Sequence, residues 1–449
     1  MIFPHKMFPI KPLSPKTWLM IVFAVAVLVR AGLWLTYPLA ETNDTPTYRH
    51  LARSLTNKGF ANYNGMRTPG YPLFVAITGS DAGLYAAQLA LGLLTTLIIF
   101  ILAWKLSGKA WFGGALALAH SLNLGQIFFE ASFLSEALAT CLLFLVLAGL
   151  YSLLASADVP KFYVGIALGV GLAAAILAMT RPLFVFVPFW GALFLAFFWR
   201  APLKTRWSAA ILAALPAVIT LAVWVGYIYT NFKMLGLDSM GGYHLVNHVT
   251  SFFELAPDQY APIRDTFIKF REARLAASGD SVNTIWDAIP ALMDQTGYNY
   301  YRLARVMGDI SSQLMWAYPG KYAWNIIQGW LWFWKAPIAW DSTQFAPAIA
   351  AVIKLIALAE RGLLILANLA FLATSLMLFL PRFRARIQPN LFIYYAASAI
   401  WVTSILQTLA EHGDNPRFLI PLQSLIIILI AWCALRFYEN ASHPAQEQP

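Results

Sequence analysis

The chain has 449 residues, of which 59% are hydrophobic and only 12% charged, with a mean hydropathy of +0.62. A soluble domain carries about a quarter charged residues, so this composition argues against a cytosolic enzyme and for a polytopic membrane protein. Lys and Arg number 31 against 21 Asp and Glu, an excess of +10 whose meaning depends on where the charges lie.

Ten apolar runs predict membrane helices, at 17–37, 83–104, 110–127, 131–156, 161–180, 182–199, 207–230, 355–380, 391–410 and 417–437. Each approaches the ~20 residues that cross the hydrocarbon layer as a helix, and nothing resembles the alternation of a membrane barrel. The expected fold is an all-α helical bundle. Its first run reads as a retained anchor rather than a cleaved signal peptide. It is too long, it contains Arg30, and Pro38-Leu39-Ala40 has no small residue at minus three. Cys141 and Cys433 fall inside apolar runs, which argues against a disulfide framework or a Cys-based metal site.

A cytoplasmic N-terminus puts Lys6, Lys11, Lys16, Lys105, Lys109, Arg200, Lys204, Arg206, Arg382, Arg384 and Arg386 on the inner side. The basic bias of inner loops favours that orientation in a cell inner membrane. The inner segments then carry the whole excess of ten, so the charge reports topology and calls for no nucleic-acid partner.

This topology divides the chain into four parts. Residues 1–230 form an N-terminal bundle with a first outer loop at 38–70, and 231–354 form an outer module. Residues 355–438 supply the C-terminal helices, and 439–449 are an expected disordered tail. Within 231–325 there are 8 basic and 9 acidic residues, a balance expected of a small folded unit. Its end, WNIIQGWLWFWKAPIAW, is expected at the membrane surface, with a buried bundle helix as the alternative. No long internal repeat is present.

Ionisable residues at the ends of apolar runs are candidates for function, because lipid disfavours them elsewhere. Asp44, Arg67, Glu130, Glu136, Arg181, His412 and Arg417 all fall at the expected outer boundary. In the first outer loop, Thr45 or Asp44 could cap a helix running through Tyr48, Leu51, Ala52 and Leu55 to Gly59. Asp44 thus reads either as a helix cap or as a reactive carboxylate. Arg67-Thr68-Pro69-Gly70-Tyr71-Pro72 then predicts a rigid turn that fixes Arg67.

These segments resemble the GT-C glycosyltransferases, nearest to the branch of protein O-mannosyltransferases and the lipid A aminoarabinose transferase. The resemblance rests first on Asp44 followed by Tyr48-x-x-Leu51-Ala52-x-x-Leu55-x-x-x-Gly59-Phe60 and by Arg67-Thr68-Pro69-Gly70-Tyr71-Pro72-Leu73-Phe74. Leu134-Ser135-Glu136-Ala137-Leu138, Thr180-Arg181-Pro182 and Arg417-Phe418-Leu419-Ile420-Pro421 follow in the family's order. It implies transfer of a sugar, with inversion, from a polyprenyl-phosphate-linked donor to a lipid, glycan or protein acceptor on the outer face of the membrane.

Asp44 matches the family's first-loop acid, to which the role of general base is assigned. A partly desolvated carboxylate is suited to that role. Many members carry an Asp-Glu pair, whereas this chain has Asn43-Asp44-Thr45, so a divalent metal stays open but has no carboxylate pair to support it, and no cofactor is implied. Fixed cations can stabilise the leaving phosphate, and the candidates are Arg67, Arg417, His412 and Lys58. Glu136, Arg181, Tyr48 and Tyr71 are candidates to bind or orient substrate. Glu136 reads equally as a helix-terminal ion pair and Arg181 as an anchor of the sixth span. Glu411-His412-Gly413-Asp414 could be a further acid/base set or a plain polar turn.

His244 and His248 have the spacing of a helical metal pair but no evident third ligand. Gly165-x-x-x-Gly169 lies in an apolar span and reads as a helix-packing face. The alternative function is a lipid or polysaccharide transporter. Its substrate path is expected at mid-depth, with paired halves, and the charges here gather at one face. A scaffold that keeps the fold without turnover is a third possibility.

Overall fold

A computed structural model describes residues 13–155, 158–336, 338–412 and 416–442. Among them the secondary structure is helical, and the strand-like pairing is an isolated bridge between Ala40 and Ser132. The first half contains α1 (Pro15–Thr36), α2 (Thr45–Lys58), α3 (Gly70–Thr78), α4 (Asp81–Ser107), α5 (Ala110–Leu122), α6 (Leu124–Glu130), α7 (Glu136–Leu154), α8 (Tyr163–Thr180), α9 (Val187–Phe197) and α10 (Leu203–Phe232). The outer segment folds as α11 (Gly241–Val246), α12 (Ala261–Ser278), α13 (Thr284–Thr296), α14 (Tyr300–Ala317) and α15 (Pro319–Phe333). Last come α16 (Pro347–Met377), α17 (Pro381–Ile387), α18 (Leu391–Ala410) and α19 (Ile420–Ser442).

Seven described helices are long and apolar enough to cross a membrane, or eight if the pair α16 and α17, bent by 106°, is one span. The protein is an all-helical, multi-pass membrane protein. Of the ten runs expected from sequence, 110–127 and 182–199 are shorter than a regular span. Asn123 leaves helical geometry, and its side chain caps α6 by accepting from Gln126 N at 2.8 Å, so α5 stops at Leu122. Pro182 opens a 3₁₀ turn after Arg181, which leaves α9 only 11 residues.

Helix ends elsewhere follow ordinary capping chemistry. Ser14 accepts from Thr17 N ahead of Pro15, Ser80 accepts from Gly83 N, and Asn390 accepts from Ile393 N. α16 begins at Pro347, inside the range expected for the outer module, and α19 continues to Ser442, into the range expected for the tail.

The outer segment has its own core, in which Tyr243, Phe253, Phe267, Ile285, Leu303 and Met307 are fully buried. α15 is neither free at the surface nor enclosed. Gly329 and Phe333 are buried against the bundle, and Trp330 donates to Ser404 Oγ of α18, while Trp324, Ile327 and Leu331 are exposed.

A charged pair lies inside the bundle. Arg30 of α1 makes a bidentate contact with Glu130 at 2.8 and 2.7 Å and donates to Ser121 Oγ at 2.7 Å. Gly92 makes room for it, since a Cβ there would fall about 2 Å from the Glu130 carboxylate. The sequence alone led us to expect Glu130 among the outer-boundary charges; it pairs instead with Arg30 inside the bundle.

Candidate active site

Three backbone devices bring distant segments to one place. Ala40 N donates to Ala131 O at 2.7 Å and Phe133 N donates to Ala40 O at 2.9 Å, joining the end of α1 to the turn before α7. Asp44 and Glu136 each lie four residues beyond this bridge. Tyr71 donates to Gln88 Oε1, and Gln88 Nε2 donates to the carbonyls of Glu130 and Ser132, all at 2.9 Å, which ties the Arg67–Tyr71 turn to the same place. Finally, Gly70 lies against the backbone of Met179 and Thr180, where a Cβ would come within 2.6 Å of three main-chain atoms. Only glycine lets this turn reach the end of α8 and hence Arg181.

The result is a cavity of about 1350 Å³. The starts of α2, α7 and α19 and the ends of α8 and α18 meet at its wall, closed over by α11, α13 and α14 of the outer segment. α4 has 27 residues, so it carries the chain about 40 Å away from this end, and α5 with α6 bring it back.

Asp44 stands at the centre of the charges. Its Oδ1 accepts from Arg67 Nη2 at 2.6 Å, and its Oδ2 is 2.9 Å from Arg417 Nη2. It makes no side-chain cap for α2, so the capping role considered for it is not the one it adopts. Arg181 Nη1 is 2.6 Å from Glu136 Oε1, and Arg417 Nε is 3.8 Å from the same oxygen. Arg181 and Arg417 both lie over the ring of Phe418, at 4.7 and 5.6 Å. Glu136 is buried, and its Oε2 has no hydrogen-bond partner among the described residues.

Burial works to raise the Asp44 carboxyl, but the charges of Arg67 and then Arg417 outweigh it and hold it below the ordinary carboxylate range. Glu411 behaves alike. Burial raises it, and His244 and then the two arginines bring it down to about 2. His244 is raised in turn: Glu411, 3.5 Å away, overcomes the burial that disfavours its charged form.

Asp44, Arg67, Arg417, Glu136, Arg181 and Tyr48 therefore share one cavity wall. Tyr48 lies 5.7 Å from the Arg67 guanidinium and packs edge-on to Tyr71 at 4.7 Å. Tyr71 is fully buried behind it, so it supports the wall and does not reach the cavity. Lys58 is not brought in. It is exposed at the far end of α2, about 20 Å along the helix from Asp44. His412 is buried away from the cavity, 5.9 Å from the His248 ring and 5.6 Å from Trp332.

Sequence reasoning set His244 aside with its neighbour His248 as a weak metal pair, and it missed Trp286, Arg305 and Asp309, all of which line the cavity. The i, i+4 spacing of Arg305 and Asp309 was the available signal, but it is common on helices. Among the described residues no group of three or more His, Cys, Asp or Glu side chains converges as a metal site. Gly413, Asp414 and Asn415 lie outside the described residues.

The arrangement offers one carboxylate held by two guanidiniums, with a third guanidinium and a second carboxylate beside them. It can bind an anion and can take up a proton once that anion has drawn the arginines away from Asp44. No protein-family model and no curated protein matches the chain.

Proposed function

We propose that the protein is an inverting glycosyltransferase. It transfers a sugar from a polyprenyl-phosphate donor to an acceptor hydroxyl at the outer face of the inner membrane. The observation that carries this reading is the double ion pair on Asp44, in which Arg67 and Arg417 stand where a phosphate would compete for them. The order of the Asp44, Arg67-Thr68-Pro69-Gly70, Glu136, Arg181 and Arg417 segments supports it through the GT-C resemblance. In this reading the chain crosses the membrane ten times, with its basic loops inside.

In the resting cavity Asp44 is a weak base, because two positive charges stabilise its ionised form. A donor phosphate bound by Arg67 and Arg417 supplies the competing negative charge. Asp44 then gains proton affinity beside the acceptor hydroxyl. The acceptor oxygen bonds to the anomeric carbon as its proton passes to Asp44. The bond from that carbon to the phosphate oxygen breaks on the opposite side, and the polyprenyl phosphate leaves with its charge met by the arginines. Glu136 holds Arg181 and faces Arg417, which keeps the cations in place.

The transporter reading draws on the same cavity, but its ion pairs sit at helix ends rather than at mid-depth. Membranes containing the protein are to be incubated with a panel of lipid-linked sugars and envelope extract, followed by mass spectrometry of the products. A new glycosidic product that disappears with Asp44→Asn is expected. Movement of an unmodified lipid across proteoliposomes with no covalent product would replace this reading with transport.

A further inference from the structure

The charged cluster around Asp44 is built from the bundle side of the cavity, and the His244–Glu411 pair joins it to the outer segment. At about 1350 Å³ the space exceeds the ~300–1,000 Å³ that encloses a drug-sized ligand, so a phosphate and one sugar leave room for a second molecule. The wall that comes from α13 and α14 of the outer segment has a different chemistry.

Trp286 of α13 reaches this wall with its indole N–H already donated to Asn283 Oδ1 at 3.1 Å. Asn283 is itself fixed. Its backbone N–H donates to Asn247 Oδ1 at 3.1 Å, its Oδ1 accepts from Asn247 Nδ2 at 3.2 Å, and its backbone takes a left-handed φ of 67°. The indole is thus positioned by its edge, and Tyr243 meets it edge-on at 6.0 Å. On the neighbouring α14, Arg305 and Asp309 lie one helical turn apart and both line the cavity. Neither has a hydrogen bond or an ion pair with another described residue, and both are exposed to the space between the two walls. α14 can stand this close because Gly242 of α11 touches it: a Cβ at Gly242 would fall 1.8 Å from Ala304 O.

We infer that this wall binds a saccharide, with a sugar ring against Trp286 and adjacent hydroxyls held by Asp309 and Arg305. It would serve as the acceptor subsite of the transferase proposed above, on which the word acceptor rests. A hydroxyl both donates and accepts, and a carboxylate beside a guanidinium offers both partners. An indole face packs against the C–H face of a pyranose ring without needing a further polar partner. A peptide bound by strand addition needs a sheet edge, and the described residues present none. A lipid chain would leave Arg305 and Asp309 facing apolar surface, which is costly.

The test uses full-length protein in detergent, with methyl glycosides of glucose, mannose and galactose and with maltotriose as probes. Binding is read by saturation-transfer NMR and tryptophan fluorescence. At least one probe is expected to bind, with affinity reduced about tenfold or more by Trp286→Ala and by Asp309→Asn. Trp286→Ala removes a packed ring, so thermal unfolding accompanies it. Asp309→Asn changes an exposed side chain and keeps the test valid if the first variant fails to fold. Absence of binding by every probe, or binding indifferent to both substitutions, overturns the inference. Transfer from a lipid-linked donor to a lipid or peptide, and to no saccharide, overturns it while leaving the transferase reading intact. Saccharide binding that depends on both residues, with no transfer from any donor, upholds the site and removes the transferase reading.

Discussion

Asp44 and Arg67 are joined at 2.6 Å although 23 residues and a complete helix separate them in the chain. Arg417 takes the other carboxylate oxygen at 2.9 Å, so both oxygens of Asp44 are held and the three side chains together carry one positive charge. In the proposed mechanism Asp44 serves as a base only once an anion competes for its two arginines. That coupling makes the two kinds of residue separable by experiment.

Asp44→Asn removes the proton acceptor while nearly preserving shape. Transfer is expected to fall by about 10² to 10⁴-fold, the usual contribution of a general base, with protein abundance unchanged. The rate of product formation from a fluorescent lipid-linked sugar measures it. Full activity would rule out Asp44 as the base.

Arg67→Ala and Arg417→Ala are expected to weaken donor binding and slow turnover together, by about tenfold or more each, since each removes a charge-assisted phosphate contact. Lysine substitutions should restore part of the loss, because charge remains but the planar fork is gone. Lys58→Ala, remote and exposed, should leave donor KM unchanged.

Gly70→Ala places a methyl group 2.6 Å from the Met179 carbonyl and the Thr180 nitrogen. Backbone atoms cannot swing aside, so a destabilisation of about 1–3 kcal/mol or more is expected, with displacement of Arg67. Thermal unfolding in detergent gives the first effect and transfer rate the second. An unchanged Tm would mean that the turn does not lie against α8.

Arg30→Ala leaves the Glu130 carboxylate buried without its partner. A loss of about 3–5 kcal/mol is expected from breaking an enclosed ion pair. Expression level and thermal unfolding report it. The double substitution Arg30→Met with Glu130→Leu should recover much of the loss, because neither member of the pair is then left buried without its partner.

The histidines make opposite contributions to stability as pH changes. Burial holds His248 down to about 4 from 6.5, so the unfolded chain binds a proton that the folded chain refuses. Stability from this group is present above 6.5 and falls as pH drops toward 4. His244 is raised by Glu411, so its contribution is full below 6.5 and fades as pH rises through its folded value. Between pH 7 and 5, His248→Gln should reduce the acid loss of Tm and His244→Gln should increase it.

Much of the bundle was legible because lipid imposes a simple rule on composition. The helix of the first loop, its end at Gly59 and the turn at Arg67 also follow from local sequence, since proline, glycine and apolar spacing act over a few residues. The shortening at Asn123 was less visible. A single polar residue inside an apolar run either continues a helix or caps a new one, and the packing around it decides which.

The sequence by itself determined the class of protein and the small set of boundary charges from which the site is drawn. Apolar length, basic loops and turn residues are local quantities that need no partner to be read. Only the tertiary structure decided which charges meet. It sent Glu130 to Arg30 inside the bundle, left Lys58 exposed, buried His412 against His248, and put Arg67 and Arg417 on the two oxygens of Asp44. Ion pairing acts over a few ångströms between residues tens or hundreds of positions apart. That distance is set by close backbone contacts such as Gly70 on Thr180, which the sequence encodes only through the fold as a whole.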